Sequence, residues 1–239
     1  MNYFWGESTP APAAANVKTY KSVDEIDFHA FADETLQILL ARHSGDDKVT
    51  TWELVDAHEE GDVKIWQGAV EGSSWSPFRA SRRISADKVT IQNSLLDPVL
   101  LLKLDDMMDA VNVLKAVDEE GKLSLRQIVS KGVFPVAARE FVLVTYATAL
   151  PDGRLVIASR SIPLEGVPLP EGAVRGENIV TGYIIQETTD ANGKPCCDVT
   201  LLAHVDLSGY IPATIVNMLG TSSTIKLLDN LEAVVEVQA

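Results

Sequence analysis

The sequence predicts an α+β fold, a curved antiparallel sheet of about nine strands closed by a long C-terminal helix. Three observations predict it. Between residues 51 and 207 most of the chain reads as short runs rich in Val, Ile, Thr and aromatic residues, with apolar side chains in alternation. The breaks "EEG" (119–121) and "PDG" (151–153) suit hairpin turns, which join antiparallel neighbours. The last stretch, from "DLSGYIPATIVN" (206–217) to Val237, turns to a helical period with apolar residues on more than one side, more than a solvent-facing helix needs.

Composition sets the bounds. A chain of 239 residues makes one large domain or at most two small ones, and 46% hydrophobic with 23% charged residues is ordinary for a packed protein. The formal net charge of −14, with no basic patch, argues against nucleic-acid binding by phosphate neutralisation and against electrostatic docking on anionic membranes. The two cysteines, Cys196 and Cys197, are adjacent and read as reduced thiols of a cytoplasmic protein. The start lacks the basic and apolar blocks of a signal peptide, and no run of 18 apolar residues offers a membrane span.

Taken in order, residues 1–20 read as a poorly ordered leader carrying an aromatic cluster, Tyr3, Phe4 and Trp5, and residues 21–239 as one domain. From Val23 to Arg42 the spacing of Ile26, Phe28, Phe31, Leu36, Leu39 and Leu40 predicts an amphipathic helix. Asp24 and Glu25 suit its first turn and Gly45 its stop. "TWELVDAH", "DVKIWQGAV" and "PFRASRRI" then form a three-strand meander. In "SLLDPVLLLKLDDMMDA", Asp97 caps a helix, Pro98 takes its first position and the apolar run extends to Met108. Six more strands follow: "VNVLKAVDE", "KLSLRQIVS", "AREFVLVTYATAL", "RLVIASRSI", "AVRGENIVTGYIIQET" and "CCDVTLLAHVDL". A final helix from Pro212 to about Val237 is long enough to lie across the whole sheet, and it is interrupted by the weak helix formers of "GTSST" (220–224).

Four pieces, in this order, resemble the START family, the steroidogenic acute regulatory protein-related lipid-transfer domains. They are the tryptophan strands "TWELV" and "VKIWQGAV"; "FPVAAREFVLV", which is similar to that family's Pro-x-x-x-Arg-Asp-Phe-Val entry with Glu140 for the usual Asp; "SIPLEGVPLPEGAVRGENIVTGYII"; and the junction "DLSGYIPATIVN". The likeness covers about residues 23–237. It implies a helix-grip fold, with the sheet wrapped around the last helix, a tunnel between them, and the last helix and the loop Pro163–Gly172 as the lid. It implies a cytoplasmic monomer that binds one lipid, makes transient membrane contact, uses no cofactor and catalyses nothing. A helix-grip enzyme of the polyketide cyclase or aromatase type and a lipid sensor that does not shuttle are the alternatives.

Alternation names the candidate ligand contacts. Phe141, Leu143 and Thr145 share one face of their strand. In several relatives the position of Thr145 is a buried Arg paired with a carboxylate on the preceding strand; here that carboxylate position falls at Arg126, beside Gln127. Alternation with Leu123 and Leu125 turns Arg126 away from the core towards solvent unless a bulge intervenes. Asn178 and Val180 are grouped on one face, and His204 is either a ligand contact or a satisfied structural histidine; Arg175 and Asp206 read as structural. On the last helix Ile215, Met218, Leu219 and Ser222 are spaced to point into the tunnel. The four histidines and two cysteines show no metal-ligand spacing, and no nucleophile elbow, P-loop or dinucleotide fingerprint is present.

Overall fold

The computed structural model describes residues 18–58, 63–190, 192–209, 211 and 213–237, with side chains described for these except at 56–58 and 213–222. The predicted Tyr3–Phe4–Trp5 cluster lies outside the described residues. Tyr20, at the end of the predicted leader, is tied in: its N–H donates to the Pro163 carbonyl at 2.8 Å and its carbonyl accepts from Glu165 at 2.9 Å.

After a single 3-10 turn at Val23–Glu25, α1 spans Phe28–Ser44. Its cap is Asp27, whose carboxylate accepts from the Ala30 N–H, so the helix begins later than Asp24 and Glu25 suggested. It stops where predicted, with Gly45 in the left-handed region at φ 80°. Strands β1 (Thr50–His58), β2 (Val63–Val70) and β3 (Phe78–Ile84) form the expected meander. Two helices, not one, follow. Asp87 caps α2 (Lys88–Leu96) through the Val89 and Thr90 N–H groups, and Asp97 caps α3 (Pro98–Leu104) through Val99 and Leu100. Met108 already belongs to β4 (Met108–Ala116), not to the helix.

Then come β5 (Leu123–Ser130), β6 (Arg139–Ala149), β7 (Leu155–Ser161), the two-residue β8 (Val174–Arg175), β9 (Glu177–Thr189), β10 (Pro195–Asp206) and α4 (Ala213–Glu236). Gly176 lies between β8 and β9, where a Cβ would fall 2.4 Å from the Phe141 ring, so the position needs glycine. The sheet runs β1-β2-β3-β10-β9-β7-β6-β5-β4, with antiparallel neighbours, and β8 lies parallel to β6. The α2–α3 passage therefore carries the chain from β3 to the far edge, and β9 and β10 close the middle.

Both faces of this sheet are covered. On one, α1 packs Leu36 and Leu39 against Val156, Ala158, Val180, Ile184 and Leu202. Next to them Ile26, Phe28 and Ala32 meet Leu123, Leu125, Val142 and Val144. On the other face Ile91, Leu95 and Leu104 from α2 and α3, and Leu228, Leu231 and Val235 from α4, meet Ile84, Ala147, Ile157, Ile185, Val199 and Leu201. Hence β5, β6 and β10 bury odd and even positions alike, each set against a different helix layer. The approach of α1 is close: a Cβ at Gly182 would lie 2.3 Å from the Ile157 carbonyl oxygen and 2.5 Å from Leu39 Cδ2, so only glycine fits at that crossing.

The last helix is continuous through Gly220–Thr224 and about 36 Å long at 1.5 Å per residue. It departs beside β6, where the Arg139 guanidinium holds the Leu207 carbonyl at 2.6 Å and the Ser208 carbonyl at 3.1 Å. Its second half is anchored by Arg82 to Asp229 and Glu232, by Lys226 to Asp106, and by Asn230, which donates to the Leu104 carbonyl at 2.8 Å.

Candidate functional site

The sequence-predicted residues separate by face. Arg126, Leu143, Thr145, Phe141 and Asn178 lie on the side of α2, α3 and α4. The register shows it: Arg126 pairs with Leu143, Ser124 with Thr145, and Ala147 with Ile157 of the α4-facing core. Gln127, Val180 and His204 lie on the α1 side and are corrected as cavity candidates. Gln127 pairs with Val142, which packs under α1, and Val180 and Leu202 do the same. The side chains of Ile215, Met218, Leu219 and Ser222 lie outside the described residues.

Arg126 is not solvated. It is 3% exposed with regular pairing and no bulge to Leu143. Alternation did turn it away from Leu123 and Leu125, but the side it turns to is the second covered face. Its Nε donates to Ser124 Oγ at 2.9 Å, and among the described residues no carboxylate lies within ion-pair distance of it. Burial pulls its guanidinium below the usual arginine range, and the charge of Asp97 opposes that. Asp97, Asn93, Leu96 and Pro98 at the α2–α3 junction, with Val113, Ala116, Glu120, Gly121, Ser124 and Arg126, enclose an open-sided cavity of about 300 Å³.

From Arg126 a row of hydroxyl and amide groups crosses the inner face of four strands. Ser124 is the cross-strand partner of Thr145, whose Oγ1 lies 3.0 Å from Ser159 Oγ. Ser159 pairs with Thr181, and the Thr181 hydroxyl donates to Asn178 Oδ1 at 2.9 Å. The Asn178 N–H in turn donates to Ser161 Oγ at 2.8 Å. The β9–β10 register shifts between His204 and Val205, and this shift places Asn178 on the inner face while Val180 stays outside, which separates two residues that plain alternation had grouped. The sequence reading named Thr145 and Asn178 of this row but not Ser124, Ser159, Ser161 and Thr181. Their signal is the strand register, which needs the sheet order.

The outer-face residues hold structure. Glu140 is 0% exposed; Arg175 clasps it with Nε at 2.7 Å and an Nη at 3.1 Å, and Gln127 Nε2 donates to it at 2.9 Å. Gln127 also donates to the Pro168 carbonyl and Arg175 to the Val167 carbonyl, while Leu164 is buried with Ile26 and Phe28. The loop Pro163–Gly172 is thus tied to the α1 face, whereas the resemblance implied that it forms a lid together with the last helix. His204 Nδ1 faces the Arg42 guanidinium, and its Nε2 reaches the Trp75 carbonyl at 2.9 Å and Ser73 Oγ at 3.1 Å. Burial, then Arg42, lowers its pKa to about 4. Asp206 Oδ1 accepts from the Ser208 N–H at 2.6 Å and shapes the turn before α4. Among the described residues no group of three or more His, Cys, Asp or Glu is arranged to hold a metal, and no helix is long and apolar enough to cross a membrane.

The START domain model matches residues 31–238, most of the chain. The chain belongs to the START domain family. This START domain is 28% identical over 200 residues to the rice homeobox-leucine zipper protein HOX29, a match covering 81% of this chain and 22% of that protein. It is 26% identical to the Arabidopsis thaliana homeobox-leucine zipper protein ATHB-8, over 82% of this chain and 23% of that protein. The chain thus spans under a quarter of the length of these two plant relatives. An uncharacterised Pseudomonas aeruginosa protein, PA1579, is 23% identical over 77% of this chain and 87% of its own.

Among solved structures, the human StAR-related lipid transfer protein 5 superposes with a TM-score of 0.74 at 16% identity, covering 87% of this chain and 96% of that one. A STAR-related lipid transfer protein fragment from Xanthomonas axonopodis gives 0.61 at 22% identity, over 77% and 98%. These likenesses establish the helix-grip architecture of the START domain.

Proposed function

We propose that this START domain binds one amphiphilic lipid between the inner sheet face and α4 and exchanges it with membranes, without catalysing a reaction. The observation that carries the reading is the cavity at the α2–α3 junction opening onto a polar row that starts at Arg126, with Ser124, Thr145 and Asn178 buried and Ser159, Ser161 and Thr181 half-buried. Polar groups gathered in a row on a helix-covered face suit a site that must orient one polar head in an apolar enclosure. At about 300 Å³ the cavity is at the small end of ligand sites, so the apolar tail runs from it along the inner face. The second half of α4 bounds that run, since Leu228, Leu231 and Val235 pack there with Ile84, Ile185 and Leu201.

Membrane contact has its own support. Phe134 is 98% exposed at the tip of the β5–β6 hairpin, next to the half-exposed Val133. The tip is closed by Val133 and Val136, which exchange both backbone hydrogen bonds at 2.9 and 2.7 Å. A fully exposed aromatic at such a tip is suited to insertion at a bilayer interface, and with a net charge of −14 the docking is apolar and not electrostatic. Phe134→Asp should slow transfer of a labelled lipid between vesicles about ten-fold, the cost of losing one buried aromatic, while leaving the thermal midpoint unchanged. Wild-type transfer indistinguishable from the protein-free rate would refute the carrier reading.

Sensing without transfer is the second reading, because in the rice and Arabidopsis relatives the matched stretch is only 22% and 23% of proteins named for homeobox and leucine-zipper parts. One bound lipid with no transfer would select it.

A further inference from the structure

The geometry points to Arg126 as the anchor for an anionic head group, a carboxylate or a phosphate, carried by the lipid this domain binds. The inference rests on the carrier reading and narrows its substrate class. Arg126 is 97% buried, being 3% exposed, and it lines the cavity. Only its Nε has a described partner, Ser124 Oγ at 2.9 Å. The terminal amino groups of the guanidinium make a planar fork matched to two oxygens of a carboxylate or phosphate. The charge of Asp97 acts on the guanidinium from across the cavity without contact, and the one group in hydrogen-bond contact with it is a hydroxyl, so the place of a close counter-charge is left to a ligand.

Two acids share the cavity wall, and neither takes this role. Asp97 is exposed, and its Oδ1 accepts from the Val99 and Leu100 N–H groups at 2.7 and 3.1 Å, a capping task that fixes its direction. Glu120 is solvent-facing and paired with Lys122. Both sit at the open side, so the inward charge is positive and the outward rim is acidic. An anion that enters past this rim is rewarded only at the guanidinium, which favours a ligand held at depth over a counter-ion exchanging freely with solvent.

The test compares ligands that differ in the charge of the head group. Palmitic acid with methyl palmitate, and dipalmitoyl phosphatidic acid with dipalmitoylglycerol, are delivered from cyclodextrin to the full chain, and the bound amount is measured after re-isolation. Wild type should retain the acid over its uncharged counterpart by about ten-fold or more in at least one pair, since charge-assisted hydrogen bonds are about twice as strong as neutral ones. The pair that discriminates tells a fatty carboxylate from a phosphate head. Arg126→Met should bring that ratio near one while uptake of the neutral ligand persists, and Arg126→Lys should keep part of the preference. Equal uptake within both pairs by wild type overturns the anion anchor and leaves the carrier reading intact. No uptake of any of the four overturns the anion anchor, and the carrier reading falls with it only if sterol and sphingolipid are refused as well. The wild-type comparison decides even where a variant fails to fold.

Discussion

Acidification from pH 7 to pH 4 should cost the fold about 3 kcal/mol through His204 alone. His204 is 1% exposed, and its pKa is lowered from 6.5 to about 4, by burial and then by Arg42. The tautomer explains the resistance to protonation: Arg42 donates to Nδ1, while Nε2–H donates to the Trp75 carbonyl and Ser73, so a second ring proton would face a guanidinium. In the unfolded chain the same ring takes up its proton near pH 6.5. Between pH 6.5 and about 4 the unfolded state therefore binds more protons, and stability falls as pH falls, by about 1.4 kcal/mol per unit of separation. His43, also lowered to about 4 by burial and by the charges of Arg79 and Arg154, acts in the same direction. Urea unfolding at pH 7.0, 5.5 and 4.5 should show the loss, and His204→Asn should flatten it by about 2 kcal/mol. A variant whose pH dependence matches wild type would show that the ring is already protonated or exposed in the native state.

Arg175→Met should lower the unfolding free energy by about 3 kcal/mol. The arginine is the charge partner of Glu140, whose side chain is 0% exposed, and its removal leaves a carboxylate supported in the interior by Gln127 Nε2 without a cation. Arg175 itself is 39% exposed, so water partly replaces it, which keeps the expected loss at the lower end for a broken buried pair. Glu140→Gln in the same chain should recover most of the loss, because the uncharged amide no longer needs a cation. A double-mutant cycle reads this coupling directly. A loss below about 0.5 kcal/mol for the single variant, as for an ordinary surface substitution, would mean that the pair does not hold the β6–β8 corner.

How much of this was legible before folding depended on whether a signal was local. Gly45 as the stop of α1, and Asp97 with Pro98 as the start of α3, need only a cap and a fixed φ, and the structure has both as predicted. The cap at Asp87 was equally local, with Thr90 three residues on, yet α2 went unread because "KVTIQNSLL" carries β-branched residues and a short apolar face. Face assignments were harder. Alternation tells which residues travel together, not which layer they meet, so Gln127, Val180 and His204 were grouped with the cavity and lie under α1. Arg126 reverses the error: a correct direction was read as solvent because the second covered face was not visible in one strand. Asn178 depends on a register shift in β9, a property of two strands that neither sequence states alone.

If one amphiphile occupies the space between the inner face and α4, incubation of the chain with mixed-lipid vesicles, re-isolation and native mass spectrometry should reveal it. The expected spectrum holds a single adduct of lipid mass at one per chain, lost when the protein is denatured. A spectrum holding the bare chain alone, after incubation with sterol, phospholipid, sphingolipid and fatty-acid vesicles in turn, would contradict it.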